Sequence, residues 1–324
     1  EFLWQEGHTA HETKEEAEKQ VNVMLKLYKD FVNEYLALPI LTGKKSDKEK
    51  FVGADYTLTL EGIMPDGKAL QMGTSHQLGQ NFSKPFEISF LGKDEEQHFV
   101  WQTSWGVSWR LMGALIMIHG DDKGLILPPK IAPIQVVIIP IYYDEDKKNE
   151  IIKVIEKIKE QLDEKGVRSY VDSSEQHTPG WKFNQWEMKG VPIRVEIGPK
   201  DLDNNSLVVV KRNSRDKKNI AISDNPADSI IKELEVIQDE LFENAKMKHS
   251  EMIFKSDEYN ELCNRLTNDR GFIKSAWCGS RECEDKIKDE TGADVRLIED
   301  EAISSSCIVC GNNATNSVYF AKSY

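Results

Sequence analysis

The sequence predicts a mixed α/β (α+β) protein: an antiparallel-sheet domain, then a compact α/β unit, then a small cysteine-bearing α/β segment. Three observations predict it. Strand signals crowd residues 50–103 with no room for crossovers, a strand–helix–strand succession follows Pro128-Pro129, and two close cysteine pairs lie near the C-terminus. At about 150 residues per domain, 324 residues allow two or three. With 39% hydrophobic and 30% charged residues, the chain is neither a disordered tail nor a disulfide-stapled miniprotein. Arg110 interrupts the longest apolar run, which stays short of the ~20 residues that a membrane span needs. Five cysteines in a chain of this size suit a reducing compartment, and no secretory leader pattern opens the chain, so the cytoplasm is expected.

Element by element, FLWQEGH reads as a strand, and residues 11–38 read as an amphipathic helix. Thr13 and Glu16 form its capping box, Ala17, Val21, Met24, Tyr28, Phe31 and Tyr35 its apolar spacing, and Pro39 its stop. Strands are expected at 56–63, 69–73, 86–90 and 98–103, split by Pro65-Asp66-Gly67 and Gly92. Residues 107–118 are apolar on every face and predict a buried helix, ended by His119-Gly120-Asp121-Asp122. The second unit has strands at 134–139, 167–171, 191–197 and 207–210 and a helix over 147–164. Pro226 opens a further helix carrying Ile230, Leu234, Ile237 and Leu241. Domain limits of 1–132, 133–226 and 227–324 follow.

Five groups of residues carry chemistry. Arg110, on an apolar helix, requires a partner, either an internal carboxylate or a bound anion such as phosphate. Gln71, Thr74 and His76 put hydrogen-bonding groups beside glycines on a core strand, though strict alternation sends Gln71 to the opposite face from Thr74 and His76. Trp4, Glu6 and His8 share one strand face and read equally as a site for an amine-bearing ligand or as half-exposed residues of an edge strand. Cys278, Cys283, Cys307 and Cys310 form a C-x4-C…C-x2-C pattern able to supply four thiolates to a structural Zn²⁺, while Cys263 is left for a core. Residues 177–218 carry nine Lys or Arg against five Asp or Glu, with Trp181, Phe183 and Trp186 interleaved, inside a chain of net charge −13. Such a patch fits unpaired nucleic-acid bases, although the total charge has the wrong sign for a general phosphate binder.

Taken together, EFLWQEGHTAHET, GTSHQLGQNF, TSWGVSWR with HGDDKGLILPP, GWKFNQWEMKGVPIRVEIGPKD and the terminal FAKSY resemble the prolyl-tRNA synthetases of the archaeal/eukaryotic type. The resemblance covers essentially the whole chain. It implies part of a class II antiparallel catalytic domain, an anticodon-binding domain and a zinc-binding C-terminal domain. The implied activity is ATP-dependent activation of L-proline and its transfer to tRNA(Pro), with Mg²⁺ at the phosphates. It implies catalytic roles for Arg110 and His76, ATP contacts from Gln71, Thr74, Ser108 and Arg110, and a proline pocket of Trp4, Glu6, His8, His76, Trp105 and Gly106. Glu187 and Arg194, helped by Lys211, would read the anticodon guanines.

Two departures stand out. Trp109 occupies a place where the family has a small hydroxyl residue. The family's preceding region, which builds the dimer interface and supplies an α-phosphate arginine, is not among the 324 residues. The expectation is therefore part of a longer, homodimeric protein, with these residues alone binding anticodon stems weakly and showing no pyrophosphate exchange. A catalytically inactive synthetase-like tRNA-binding or regulatory module is the alternative.

Overall fold

The computed structural model describes residues 2–142, 145–268 and 270–324. The chain starts with strand β1 (Trp4–His11) and helix α1 (Lys14–Glu34). The capping box is formed: the Glu16 N–H donates to Thr13 Oγ1 at 3.2 Å, and the Thr13 N–H donates back to Glu16 Oε2 at 3.4 Å. Then come β2 (Leu41–Lys44), β3 (Tyr56–Ile63), β4 (Ala69–Gly79), the small hairpin β5 (Ser89–Leu91) and β6 (Gln97–Phe99), β7 (Trp101–Ser108) and α2 (Arg110–His119). Strands β1, β7, β4, β3 and β2 are neighbours in that order, every pair antiparallel, as expected.

The buried helix expected over 107–118 requires correction. Val107 and Ser108 belong to β7, because pairing with Gln5 and Trp4 of β1 claims their backbone. Helix α2 begins at Arg110 and is not buried all round: Leu111, Ala114 and Leu115 face inward, while Met112, Ile116 and Met117 are exposed. Apolar residues on every face permit burial without requiring it.

The second unit comprises β8 (Val136–Pro140), α3 (Glu145–Glu164), β9 (Ser169–Val171), α4 (Pro179–Met188), β10 (Ile193–Ile197), α5 (Pro199–Asp203), β11 (Ser206–Lys211), β12 (Lys217–Ala221) and α6 (Pro226–Glu251). Its sheet order is β12-β11-β10-β8-β9, parallel for the pairs of β8 and antiparallel for those of β11. Strand β8 is buried on both faces. Val136 and Ile138 join Ile151, Ile155 and Ile158 of α3 and Ile230 and Ile237 of α6. Val137 and Ile139 pack instead with Trp186 of α4. Helices thus cover both sides of a continuously apolar strand.

The C-terminal elements are β13 (Ile253–Lys255), α7 (Tyr259–Asn268), β14 (Phe272–Trp277), α8 (Arg281–Thr291), β15 (Asp294–Ser306) and β16 (Asn313–Ala321). Their strands continue the first sheet, as β15 pairs with β2 at Ile298 and Lys44. By contacts, the chain divides into two compact units, one holding residues through Glu34, Leu38–Ile118 and Lys246–Tyr324, the other Tyr35–Ala37 and His119–Ala245. Within the first unit a buried charge cluster joins β3 to β15. Glu61 accepts from Lys45 Nζ at 2.7 Å and from the Arg296 guanidinium at 3.0 Å, with all three side chains at 7% exposure or less. The Thr59 hydroxyl adds a third donor to Glu61 at 2.9 Å.

Candidate active site and RNA interface

Strands β1, β7 and β4 align three rows of side chains. Glu6 lies opposite Gly106, which lies opposite Thr74. His8, Ser104 and His76 form the next row, and Trp4 faces Ser108. The glycine at the centre of the first row leaves room between a carboxylate and a hydroxyl for a small ligand. A cavity of about 530 Å³ opens there. Every residue expected at the catalytic centre lines it: Trp4, Glu6, His8, Gln71, Thr74, His76, Trp105, Gly106, Ser108 and Arg110.

Gln71 reaches this cavity because strict alternation fails. Leu60 pairs with Gly73 and Glu61 with Gln71, so Met72 is an extra residue, a bulge that inverts the phase of β4. Gln71, Thr74 and His76 are accordingly the part-exposed positions, whereas Met72, Gly73 and Ser75 are buried. The Ser75 hydroxyl points the other way, donating to the Val21 carbonyl of α1 at 2.9 Å.

Arg110 is exposed, not sunk in apolar surroundings as the sequence suggested. It stands at the first turn of α2, and its Nη1 donates to the Gln71 carbonyl at 3.0 Å. Among the described residues no acid pairs with it, so the fork faces an open cavity, and the desolvation argument for a partner does not apply. Ser108 Oγ accepts from the Arg110 N–H at 3.3 Å, just ahead of the first turn of α2. Trp109 is 55% exposed and does not line the cavity. The indole of Trp105 lies against Gly7, which has no room for a side chain.

His76 is held at both ring nitrogens, Nδ1 to Thr57 Oγ1 and Nε2 to Thr74 Oγ1, each at 2.9 Å. Burial lowers its pKa to about 4, so the ring is neutral at pH 7. Phe51 covers it, ring centroids 5.1 Å apart. Phe51 and Thr57 were not singled out from the sequence. Phe51 comes from a segment without periodicity, and Thr57 reads as an ordinary strand residue.

In the second unit a smaller cavity, about 210 Å³, gathers Glu187 from α4, Arg194 from β10, and Lys211, Arg212 and Arg215 from β11 and its turn. The three residues expected to read bases are therefore together. Arg194 donates from Nε to Glu196 Oε1 at 2.9 Å, and its guanidinium lies 4.4 Å over the Phe183 ring. Lys211 pairs with Glu240 of α6 at 3.0 Å. Glu187 Oε1 accepts from Arg215 Nε at 2.9 Å. Arg212 and Arg215 counted in the basic segment, but nothing in their spacing marked them as site residues. Trp181 is exposed and stacks on His177 with centroids 3.5 Å apart.

The four cysteines also converge. Cys278 follows β14, Cys283 lies in α8, and Cys307 and Cys310 flank the β15–β16 turn, with every sulfur within 4.8 Å of the others. Sγ of Cys278 is 3.7 Å from that of Cys283 and 3.8 Å from that of Cys310. A tetrahedral Zn²⁺ with Zn–S bonds of about 2.3 Å requires sulfur–sulfur edges of roughly 3.8 Å, so the donor set fits this ion. Burial raises the Cys307 thiol pKa, but amide donation from Cys310, Val309 and Cys278 outweighs it and brings the value to about 7. Burial pushes the Cys278 and Cys283 thiols up, so of these three only Cys307 leans toward thiolate without a cation. Cys263 is half-buried on α7 and outside the cluster.

Residues 1–119 match the tRNA synthetase class II core domain family (G, H, P, S and T), residues 135–232 the anticodon binding domain family, and residues 259–324 the family of prolyl-tRNA synthetase C-terminal domains. The chain is 51% identical over 324 residues to a protein of Cenarchaeum symbiosum (strain A) named proline–tRNA ligase, covering all of this chain and 68% of that one. It is 49% identical over 327 residues to the proline–tRNA ligase of Natranaerobius thermophilus, with 100% and 67% covered. Among solved structures it is similar to the prolyl-tRNA synthetase from Cryptosporidium parvum complexed with L-proline and AMP. The TM-score is 0.93 and the identity 40%, over 100% of this chain and 70% of that chain.

Proposed function

The chain belongs to the prolyl-tRNA synthetase family, and from that premise we propose how its residues divide the work of joining proline to tRNA. The reaction is that of a proline–tRNA ligase, an aminoacyl-tRNA ligase: ATP activates L-proline as prolyl-adenylate, and the prolyl group passes to the 3′ end of tRNA(Pro). The observation that carries the assignment of roles is the convergence of the expected residues on one cavity, from four separate elements.

In this reading Glu6 receives the secondary ammonium of proline, with Trp4, His8, Trp105 and Gly106 shaping the pocket. Gln71, Thr74 and Ser108 hold the nucleotide. Arg110 offers its fork to the phosphates and stabilises charge that develops as the proline carboxylate displaces pyrophosphate at the α-phosphorus. A bound Mg²⁺ would supply further charge neutralisation at those phosphates. His76 is neutral and saturated, and it serves by fixing Thr74 rather than by moving a proton. Glu187, Arg194 and Lys211 read anticodon guanines, the carboxylate accepting from the base and the cations donating to it.

The division of labour follows the chain, with catalysis in 1–132, anticodon binding in 133–226 closed by the packed face of α6, and a zinc-stapled domain in the rest of 227–324, where Cys278, Cys283, Cys307 and Cys310 hold the ion. A homodimer in the cytoplasm completes the reading, since a thiolate site calls for a reducing compartment.

The test is proline-dependent ATP–pyrophosphate exchange by a protein that carries these residues together with the region supplying the α-phosphate arginine. Arg110→Ala should lower its rate roughly 10²- to 10³-fold, the usual effect of losing one charge-stabilising donor. Exchange in Arg110→Ala at the wild-type rate would remove that residue from the phosphate site.

A further inference from the structure

The His119-Gly120-Asp121-Asp122 turn, conspicuous in the sequence, has no part in the roles assigned above. Its Asp121 is where two arginines of the RNA interface converge. Arg212, buried on the β11 side, donates from Nη1 to Asp121 Oδ2 at 3.0 Å and from Nη2 to Oδ1 at 2.6 Å, while its Nε donates to the Glu187 backbone carbonyl at 2.8 Å. Arg215 spans the same two residues. Its Nη2 donates to Asp121 Oδ2 at 2.9 Å and its Nε to Glu187 Oε1 at 2.9 Å.

The main chain adds a second connection. The Leu125 N–H donates to the Met188 carbonyl at 3.0 Å and the Leu127 N–H to that of Gly190 at 3.2 Å. Gly124, at φ +131°, lies so close to the Met188 backbone that no side chain would fit. The turn is therefore stitched to the end of α4 that carries Glu187.

We infer that Asp121 is a positioning residue for guanine recognition, drawing Arg212 and Arg215 so that Glu187 presents one carboxylate oxygen to the RNA. An unopposed guanidinium beside a carboxylate takes both oxygens in a fork. Here Asp121 claims the Nη2 of Arg215, which leaves a single contact to Glu187 Oε1 and keeps Oε2 available for the N–H donors of a guanine edge. Arg212 meanwhile anchors the backbone of Glu187, so the carboxylate starts from a fixed origin. The inference rests on the proposed role of Glu187.

The test uses tRNA(Pro) anticodon stem–loop RNAs with each anticodon guanine kept or replaced by adenine, and binding read by fluorescence anisotropy. The wild-type protein should prefer the guanine RNAs by roughly tenfold or more. Asp121→Asn should lose most of this preference, because the released Arg215 closes on Glu187. An Asp121→Asn protein that binds all the RNAs more weakly but keeps the ratio, or that is unchanged, overturns the inference. Arg215→Gln, at a half-exposed turn position, provides the second reading should Asp121→Asn fail to fold by far-UV circular dichroism. Arg215→Gln removes the contact that fixes Glu187 Oε1, so Oε2 is no longer held toward the RNA; loss of preference supports the inference and retention overturns it. Glu187→Gln separates the two layers. If it keeps the preference, the role of Glu187 falls and the inference with it. If it loses the preference while Asp121→Asn keeps it, only the inference falls.

Discussion

His76 is held as a neutral ring. Two threonine hydroxyls saturate its nitrogens, and burial lowers its pKa to about 4. An unfolded histidine titrates near 6.5, so between about 6.5 and 4 the unfolded chain binds more protons than the native one. The stabilising contribution is complete above about 6.5 and is lost as pH falls through this window. The His76 ring resonance should accordingly stay in its neutral position in an NMR titration from pH 8 down to 5, and a midpoint near 6.5 would contradict the buried geometry. That a histidine stood beside Thr74 was visible in the sequence. Its charge state was not, because that depends on Thr57 and Phe51, brought in from residues 51–57. Arg110 teaches the converse: the residue was conspicuous, but its burial was misread. An apolar run says which side chains can be buried, and the neighbouring elements decide which of them are.

Among the elements, those governed by local chemistry were legible. The capping box places the start of α1, and Pro226 opens α6. Helix α4 was missed although Thr178 accepts from the Trp181 N–H and Pro179 follows it, because Gly180 and three aromatic residues obscure its helical character. The Met72 bulge had no signal at all, as it arises from the pairing of β4 with β3. The same strand β3 carries Glu61, whose buried pairing with Lys45 and Arg296 ties β15 to β3. Removing one member of such a cluster leaves uncompensated charge. Arg296→Ala should thus lower the free energy of unfolding in denaturant titrations by about 3–5 kcal/mol. A loss below about 1 kcal/mol would mean that the cluster contributes no more than a surface pair does.

For the molecule as a whole, the cysteine cluster closes α8 and the β15–β16 turn onto β14. Protein purified without added zinc should contain one zinc per chain, and chelation should lower the thermal midpoint of the C-terminal region, since metal binding and local folding are one equilibrium. Substoichiometric metal with an unchanged midpoint would dismiss the site. The cysteine spacing, the capping signals, the apolar faces of α3 and α6, and the long ordered motifs were all readable along the chain, because each depends on residues near one another or on covalent spacing. The alignment of Glu6, Gly106 and Thr74 across three strands, the inverted phase at Met72, the exposed setting of Arg110 and the Asp121 clamp on Glu187 came only with the folded structure. Each of these depends on which strand pairs with which, and that pairing is settled by backbone hydrogen bonds between residues tens of positions apart.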